Sequence, residues 1–116
     1  MMTRMDRHVG QLLALLDQLG IDDNTIVSLT SDNGPETGAF TNSRSNGRDS
    51  NGPLRGVKRD AWEGGTRVPF VVRWPKEIQP GRVTDATICL CDLTATCADI
   101  LQMELPEDTA EDSHSL

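Results

Sequence analysis

The β-branched run Thr25-Ile26-Val27-Ser28-Leu29-Thr30 stops abruptly at Ser31-Asp32-Asn33-Gly34-Pro35, and this stop constrains the fold more than any other feature. The run reads as a strand ending near Asp32, because Asn, Gly and Pro in succession cannot continue a sheet ladder. Upstream, Met5, Val9, Leu12, Leu13, Leu16 and Leu19 recur at spacings of three and four. That spacing predicts one apolar stripe on a helix from about Thr3 to Leu19, with Thr3 as its cap and Gly20 as its stop. His8 lies beside the stripe and reads as a surface or boundary residue, since no second His stands at metal spacing. Ile21-Asp22-Asp23-Asn24 is a turn. A helix, a tight turn and a strand form an α/β unit, in which the helix is expected to pack on a sheet. Ligands gather at the carboxyl ends of strands in such folds, so Asp32 and Asn33 are candidate oxygen donors for a hard cation. The competing reading of Asp-Asn-Gly is an ordinary Asx turn.

Beyond Gly34 periodicity fades until about Gly65, and the stretch is rich in Gly, Ser, Asn and Arg. A loop of that length is expected to be functional or disordered. Gly64-Gly65 lets backbone pass close to a neighbour, after which Val68 to Trp74 predicts a second strand with Pro69 near its start and Pro75 at its end. Pro80-Gly81 is a further turn. Asp92 is a candidate N-cap for a final helix, Leu93 to about Gln102, with Leu93, Cys97, Ile100 and Leu101 as its apolar face. Residues 104–116 hold five acids and no Lys or Arg, a composition that predicts disorder when it stands alone.

With 116 residues, two Phe, two Trp and no Tyr, the chain is one domain at most and its core is thin. The net charge of −7 is uneven: residues 44–82 carry nine Lys and Arg against four acids, leaving two against fourteen elsewhere. A basic middle without aromatic interleaving or a recognition-helix pattern suits a small anionic ligand rather than nucleic acid. Cys89, Cys91 and Cys97 match neither a CxxC pair nor a zinc spacing and read as small core residues. The sequence holds no membrane segment and opens without an apolar leader, as a cytoplasmic chain does, or one whose beginning lies upstream.

Taken in order, Asp-Asn-Thr-Ile-Val, Thr-Ser-Asp-Asn-Gly-Pro, Leu-Arg-Gly-Val-Lys, Trp-Glu-Gly-Gly-Thr-Arg-Val-Pro-Phe-Val-Val-Arg-Trp-Pro and Asp-Leu-Thr-Ala-Thr resemble the later part of the sulfatase catalytic domain. The resemblance covers nearly the whole chain, with residues 36–52 as its divergent piece. It implies an α/β fold, a partial alkaline-phosphatase-like (sulfatase) sheet with flanking helices. Residues 1–103 would form part of the catalytic domain, with a long loop at about 34–65, and 104–116 an acidic tail of the same domain. It further implies that Asp32 and Asn33 are metal ligands for Ca2+, that Lys58 is the catalytic lysine contacting a sulfate ester substrate, and that the parent enzyme is exported. Arg59 could act similarly to Lys58 but ranks below it. Glu63 and Arg67 are expected to be structural.

The family's nucleophile lies in Cys/Ser-x-Pro-x-Arg and is converted to formylglycine; no such pattern occurs here. Pro53-Leu54-Arg55 supplies Pro-x-Arg, but Asn51 stands at the nucleophile's place and Ser50 is out by one. Asp22-Asp23 sits in a turn before the wrong strand to be the family's early calcium-binding pair. The resemblance therefore implies part of a sulfatase that holds half a calcium site and is inactive alone. The alternatives are a self-standing module that binds sulfated or phosphorylated ligands, or part of a related phospho-ester or phosphonate hydrolase of the same superfold.

Overall fold

Helix α1, Met2–Gln18, ends where Gly20 takes a positive φ of 65°. There the amide of Ile21 donates to Leu16 O at 3.1 Å and that of Gly20 to Asp17 O at 2.9 Å, the paired bonds of a Schellman stop. Thr3 lies inside the helix and does not cap it. The computed structural model describes residues 2–116, which form two units dividing between Arg82 and Val83.

In the first unit the chain continues through a 3-10 turn, Asp22–Asn24, into strand β1, Val27–Thr30. Helix α2 spans Thr37–Ser45, the short helix α3 spans Glu63–Thr66, and strand β2 spans Phe70–Arg73. The strands pair antiparallel, Val27 opposite Arg73 and Thr30 opposite Phe70. This register sets the carboxyl end of β1 against the start of β2, so residues 31–34 and 65–69 leave the ribbon at the same end. At the other end Asp22 and Arg73 form an ion pair at 2.9 Å, and Lys76 N donates to Asp23 O at 3.1 Å. The Asp22-Asp23 turn is thus a clamp on β2.

The expected packing of α1 on the sheet is absent. The helix touches the 3-10 turn and neither strand, and Met5, Leu12 and Leu19 of its stripe are exposed. Dimensions explain this outcome: α1 is about 26 Å long, whereas two four-residue strands make a ribbon roughly 13 Å by 5 Å. So narrow a ribbon cannot cover a helix about 10 Å across.

The stretch from Gly34 to Gly65 is not without regular structure, because it contains α2. This helix has no apolar stripe and is rich in poor helix formers, so periodicity and propensity both miss it. Local side-chain bonds hold it together. Glu36 accepts from Thr37 N at 3.3 Å, Thr41 Oγ1 donates to Thr37 O at 3.0 Å, and Asn46 Nδ2 donates to Asn42 O at 2.8 Å.

In the second unit α4 runs from Asp92 to Ile100. Asp92 does not cap its own first turn as expected. It lies inside the helix, and its carboxylate accepts from Cys89 N at 2.7 Å and from His114 N at 3.0 Å. These two amides hold its pKa below the ordinary carboxylate value. The acidic tail is ordered in its last residues by the same contacts: Ser113 Oγ donates to Cys91 O at 2.7 Å and accepts from Ala95 N at 2.9 Å. The cysteines are not core residues, since all three are free and exposed. Ala98 is the one buried hydrophobic side chain among the described residues, so α4 offers thiols no apolar interior.

Candidate functional site

Four glycines bring the segments that flank β1 and β2 into backbone contact. Gly34 N donates to Gly65 O at 2.8 Å, and Gly64 N donates to Arg55 O at 2.7 Å. A Cβ at Gly34 would collide with Gly64 O; one at Gly64 would lie 2.7 Å from both Arg55 O and Asn51 Nδ2 and closer still to Gly56 O. Gly56 makes the turn with a φ of 92°. Only hydrogen side chains allow four strands of backbone to converge here. The Gly64-Gly65 pair therefore performs the close approach its sequence suggests.

Asn51 locks the crossing. It is buried, and its Nδ2 donates to Gly56 O at 2.5 Å and Gly64 O at 3.4 Å. Its own amide is turned by Asp49 Oδ1 at 3.3 Å. Nothing in the sequence marks these long-range bonds, although Asp49 and Pro53 around Asn51 do mark a turn.

The knot places Lys58 beside the Asp-Asn turn, because Lys58 N donates to Pro35 O at 2.9 Å. Asp32, Asn33 and Lys58 thus lie on two segments stitched together by the bonds from Gly34 and Lys58. Within the turn, Asn33 Nδ2 donates to Asp32 Oδ1 at 2.8 Å and Ser31 Oγ to Asn33 O at 3.0 Å. Among the described residues, no donor reaches Asp32 Oδ2 or Asn33 Oδ1. Both are hard oxygens of the kind calcium prefers, but two side-chain donors fall about four short of its smallest shell. No group of three or more His, Cys, Asp or Glu is placed to hold a metal among the described residues. The donor type fits such an ion and the donor number does not.

The electrostatics around Lys58 are specific. Glu36, next to Pro35, forms an ion pair with Arg59 at 2.9 Å. That guanidinium is the main reason its pKa lies below the ordinary carboxylate value; the Thr37 amide and the Lys58 charge add to the effect. Arg59 makes this contact from a positive φ of 77°. Its guanidinium is paired with Glu36 at the surface. Other members of the basic middle are also engaged: Arg44 stacks on Phe40, Arg55 lies 4.0 Å above the Trp62 ring centre, and Arg67 and Arg73 pair with Glu63 and Asp22. Glu63 and Arg67 contact each other at the surface, 3.4 Å apart. Half-buried Lys58 has no carboxylate partner among the described residues.

The sulfatase family model matches residues 1–103. The chain belongs to the sulfatase family. It is 43% identical over 112 residues to mouse steryl-sulfatase, a match covering 97% of this chain and 18% of that protein. An N-acetylgalactosamine-6-O-sulfatase of Bacteroides thetaiotaomicron is 41% identical over 116 residues, covering 95% of this chain and 22% of that protein. Among solved structures, a Bacteroides thetaiotaomicron sulfatase from work on metabolism of multiple glycosaminoglycans superposes with a TM-score of 0.85 at 40% identity. That match covers 96% of this chain and 24% of the solved one. The chain thus spans about a fifth of the length of these sulfatase relatives. The mixed helices and small antiparallel sheet are part of a sulfatase fold. No described helix is long and apolar enough to cross a membrane.

Proposed function

We propose that this chain supplies the part of a sulfatase active site that receives the sulfate of an ester substrate, with Lys58 as the sulfate-contacting cation and Asp32 and Asn33 as two ligands of a calcium ion. The supporting observation is the hydrogen bond from Lys58 N to Pro35 O, which fastens the lysine segment to the Asp-Asn turn. When a sulfate ester is cleaved, charge gathers on the sulfate oxygens and on the departing oxygen. An ammonium held there offsets that charge most strongly in the transition state. Glu36 would compete with sulfate for this ammonium, and Arg59 prevents it by occupying the carboxylate. A calcium ion on Asp32 Oδ2 and Asn33 Oδ1 would add a second positive centre; these two residues would orient it, with further ligands from outside the described set.

The nucleophile is the part this sequence does not provide. Asn51, at the place two residues before Pro53, is buried and its amide nitrogen serves the backbone knot. The chain is therefore a sulfatase part without the formylglycine motif and is expected not to turn over substrate alone. An aryl sulfate assay with calcium tests this expectation: no release is predicted, and hydrolysis abolished by Lys58→Ala would overturn it. Titration with inorganic sulfate, followed by backbone amide shifts, should move Lys58 and the 32–35 turn and lose the effect in Lys58→Ala. Shifts spread over Arg44, Arg48 and Arg82 instead would favour a general anion-binding module.

A further inference from the structure

The turn that leads into α4 carries two thiols that the sulfatase reading does not use. Cys89, Leu90 and Cys91 lie in a tight turn closed by Asp92 N donating to Cys89 O at 3.1 Å, and Cys91 stands at the N-cap position with φ −63° and ψ −25°. In 3-10-like geometry, residues two apart have Cα atoms roughly 5 Å from one another, inside the range of about 4.4–6.8 Å that a disulfide spans. Both side chains are exposed and free. The turn is anchored on one side by Cys89 N donating to Asp92 Oδ2 at 2.7 Å. On the other it is anchored by Ser113 Oγ donating to Cys91 O at 2.7 Å.

We propose that Cys89 and Cys91 form a thiol–disulfide exchange pair, with Cys89 the attacking thiolate and Cys91 the resolving thiol toward a low-molecular-weight disulfide. The assignment of roles follows from the surroundings. The Cys89 pKa is lowered, with Cys91 as the main cause, against an opposing effect of the nearby Asp92 carboxylate. The Cys91 thiol donates to Asp112 O at 3.6 Å and to Asp92 Oδ1 at 4.0 Å, contacts that use its proton, and its pKa is raised, chiefly by the hydrogen bond with Cys89. A nucleophile with thiolate character, exposed and beside a second thiol, is the arrangement found in redox-responsive cysteines. The Cys89 thiolate attacks one sulfur of the small disulfide, forming a mixed disulfide and releasing one thiolate. Cys91 then loses its proton to solvent and attacks the Cys89 sulfur, closing Cys89–Cys91 and releasing the second thiolate. Two protein thiols are oxidised and one disulfide is reduced to two thiols, so atoms and electrons balance. An exposed pair in a short ring is readily reduced again.

The test uses the 116-residue chain, oxidised glutathione and peptide mapping by mass spectrometry, with Cys97 as the internal control. The proposal expects a Cys89–Cys91 bridge, reversed by reduced glutathione, while Cys97 stays free. Cys91→Ser should stop at a stable glutathione adduct on Cys89. In the unmodified chain at neutral pH, Cys89 should be alkylated at least about threefold faster than Cys97. A bridge to Cys97, disulfide-linked dimers in place of the internal bridge, an adduct on Cys91 alone, or equal alkylation rates would overturn it. Cys97→Ser leaves the pair intact and should close the bridge as the unmodified chain does; failure there also counts against the proposal.

Discussion

Replacing Gly64 with Ala tests the backbone knot on which the candidate site rests. The added methyl carbon would lie 2.7 Å from Arg55 O and from Asn51 Nδ2, and nearer still to Gly56 O. Two of these atoms are backbone, so relief requires the 51–56 segment to move away from α3. That movement costs the Gly64 N to Arg55 O bond and the Asn51 bonds to Gly56 O and Gly64 O. At about 1 kcal/mol net for each of the three hydrogen bonds and about 1–3 kcal/mol for an overpacked methyl group, local destabilisation should be about 4–6 kcal/mol. Gly10→Ala is the matched control. It lies within α1 with nothing within 4 Å of its added carbon, so it should stabilise the helix by about 1 kcal/mol. Amide hydrogen exchange read by NMR distinguishes the cases. In Gly64→Ala the amides of Gly34 and Lys58 should exchange faster by about 700- to 20,000-fold, at tenfold per 1.4 kcal/mol, while α1 amides keep their rates. Unchanged protection at Gly34 and Lys58 would refute the claim that close glycine packing holds the two site segments together.

Asn51→Ala removes the buried amide and leaves two carbonyls unpaired, so it should cost about 1–3 kcal/mol; Asn51→Asp should be worse, because a carboxylate would face those carbonyls. Urea unfolding of the two variants checks the order. The Asp22–Arg73 pair is partly exposed, so a double-mutant cycle with Asp22→Asn and Arg73→Gln should return no more than about 1 kcal/mol of coupling. The folded-state pKa of Asp92 is depressed by its bonds to Cys89 N and His114 N. Its contribution is therefore present above the ordinary carboxylate pKa and is lost as pH falls through the lowered folded value. Exchange at the His114 amide should accelerate as the solution is acidified through and below that range, and Asp92→Asn should remove the dependence.

The separation between what could be read in the chain and what could not follows the range of each interaction. The Gly20 stop of α1, the strands before Asp32 and after Pro69, and the Gly64-Gly65 approach depend on residues within a few positions, and each stands close to where local chemistry puts it. Helix α2 escaped because its bonds run from hydroxyl and amide side chains to backbone one turn away, a pattern that carries no hydrophobic period. The cysteines depart from expectation for a different reason: a small apolar residue is usually buried, but α4 meets an acidic tail instead of an apolar layer.

The candidate site shows the same division within a single residue. That Lys58 is a point charge suited to sulfate is a property of its side chain and could be read from its type and neighbours. That it stands unpaired beside the Asp32-Asn33 turn depends on two bonds invisible in the sequence, Lys58 N to Pro35 O and Arg59 to Glu36. Arg59→Ala separates these contributions without touching Lys58. If the pairing keeps Glu36 away from the ammonium, this variant should weaken inorganic sulfate binding by freeing Glu36 to pair with Lys58, in addition to the loss of one nearby positive charge. The double variant Arg59→Ala with Glu36→Gln should then recover the binding. A loss that Glu36→Gln does not rescue would show Arg59 contributing its own charge to the anion, and the division of labour between the two neighbouring cations would have to be redrawn.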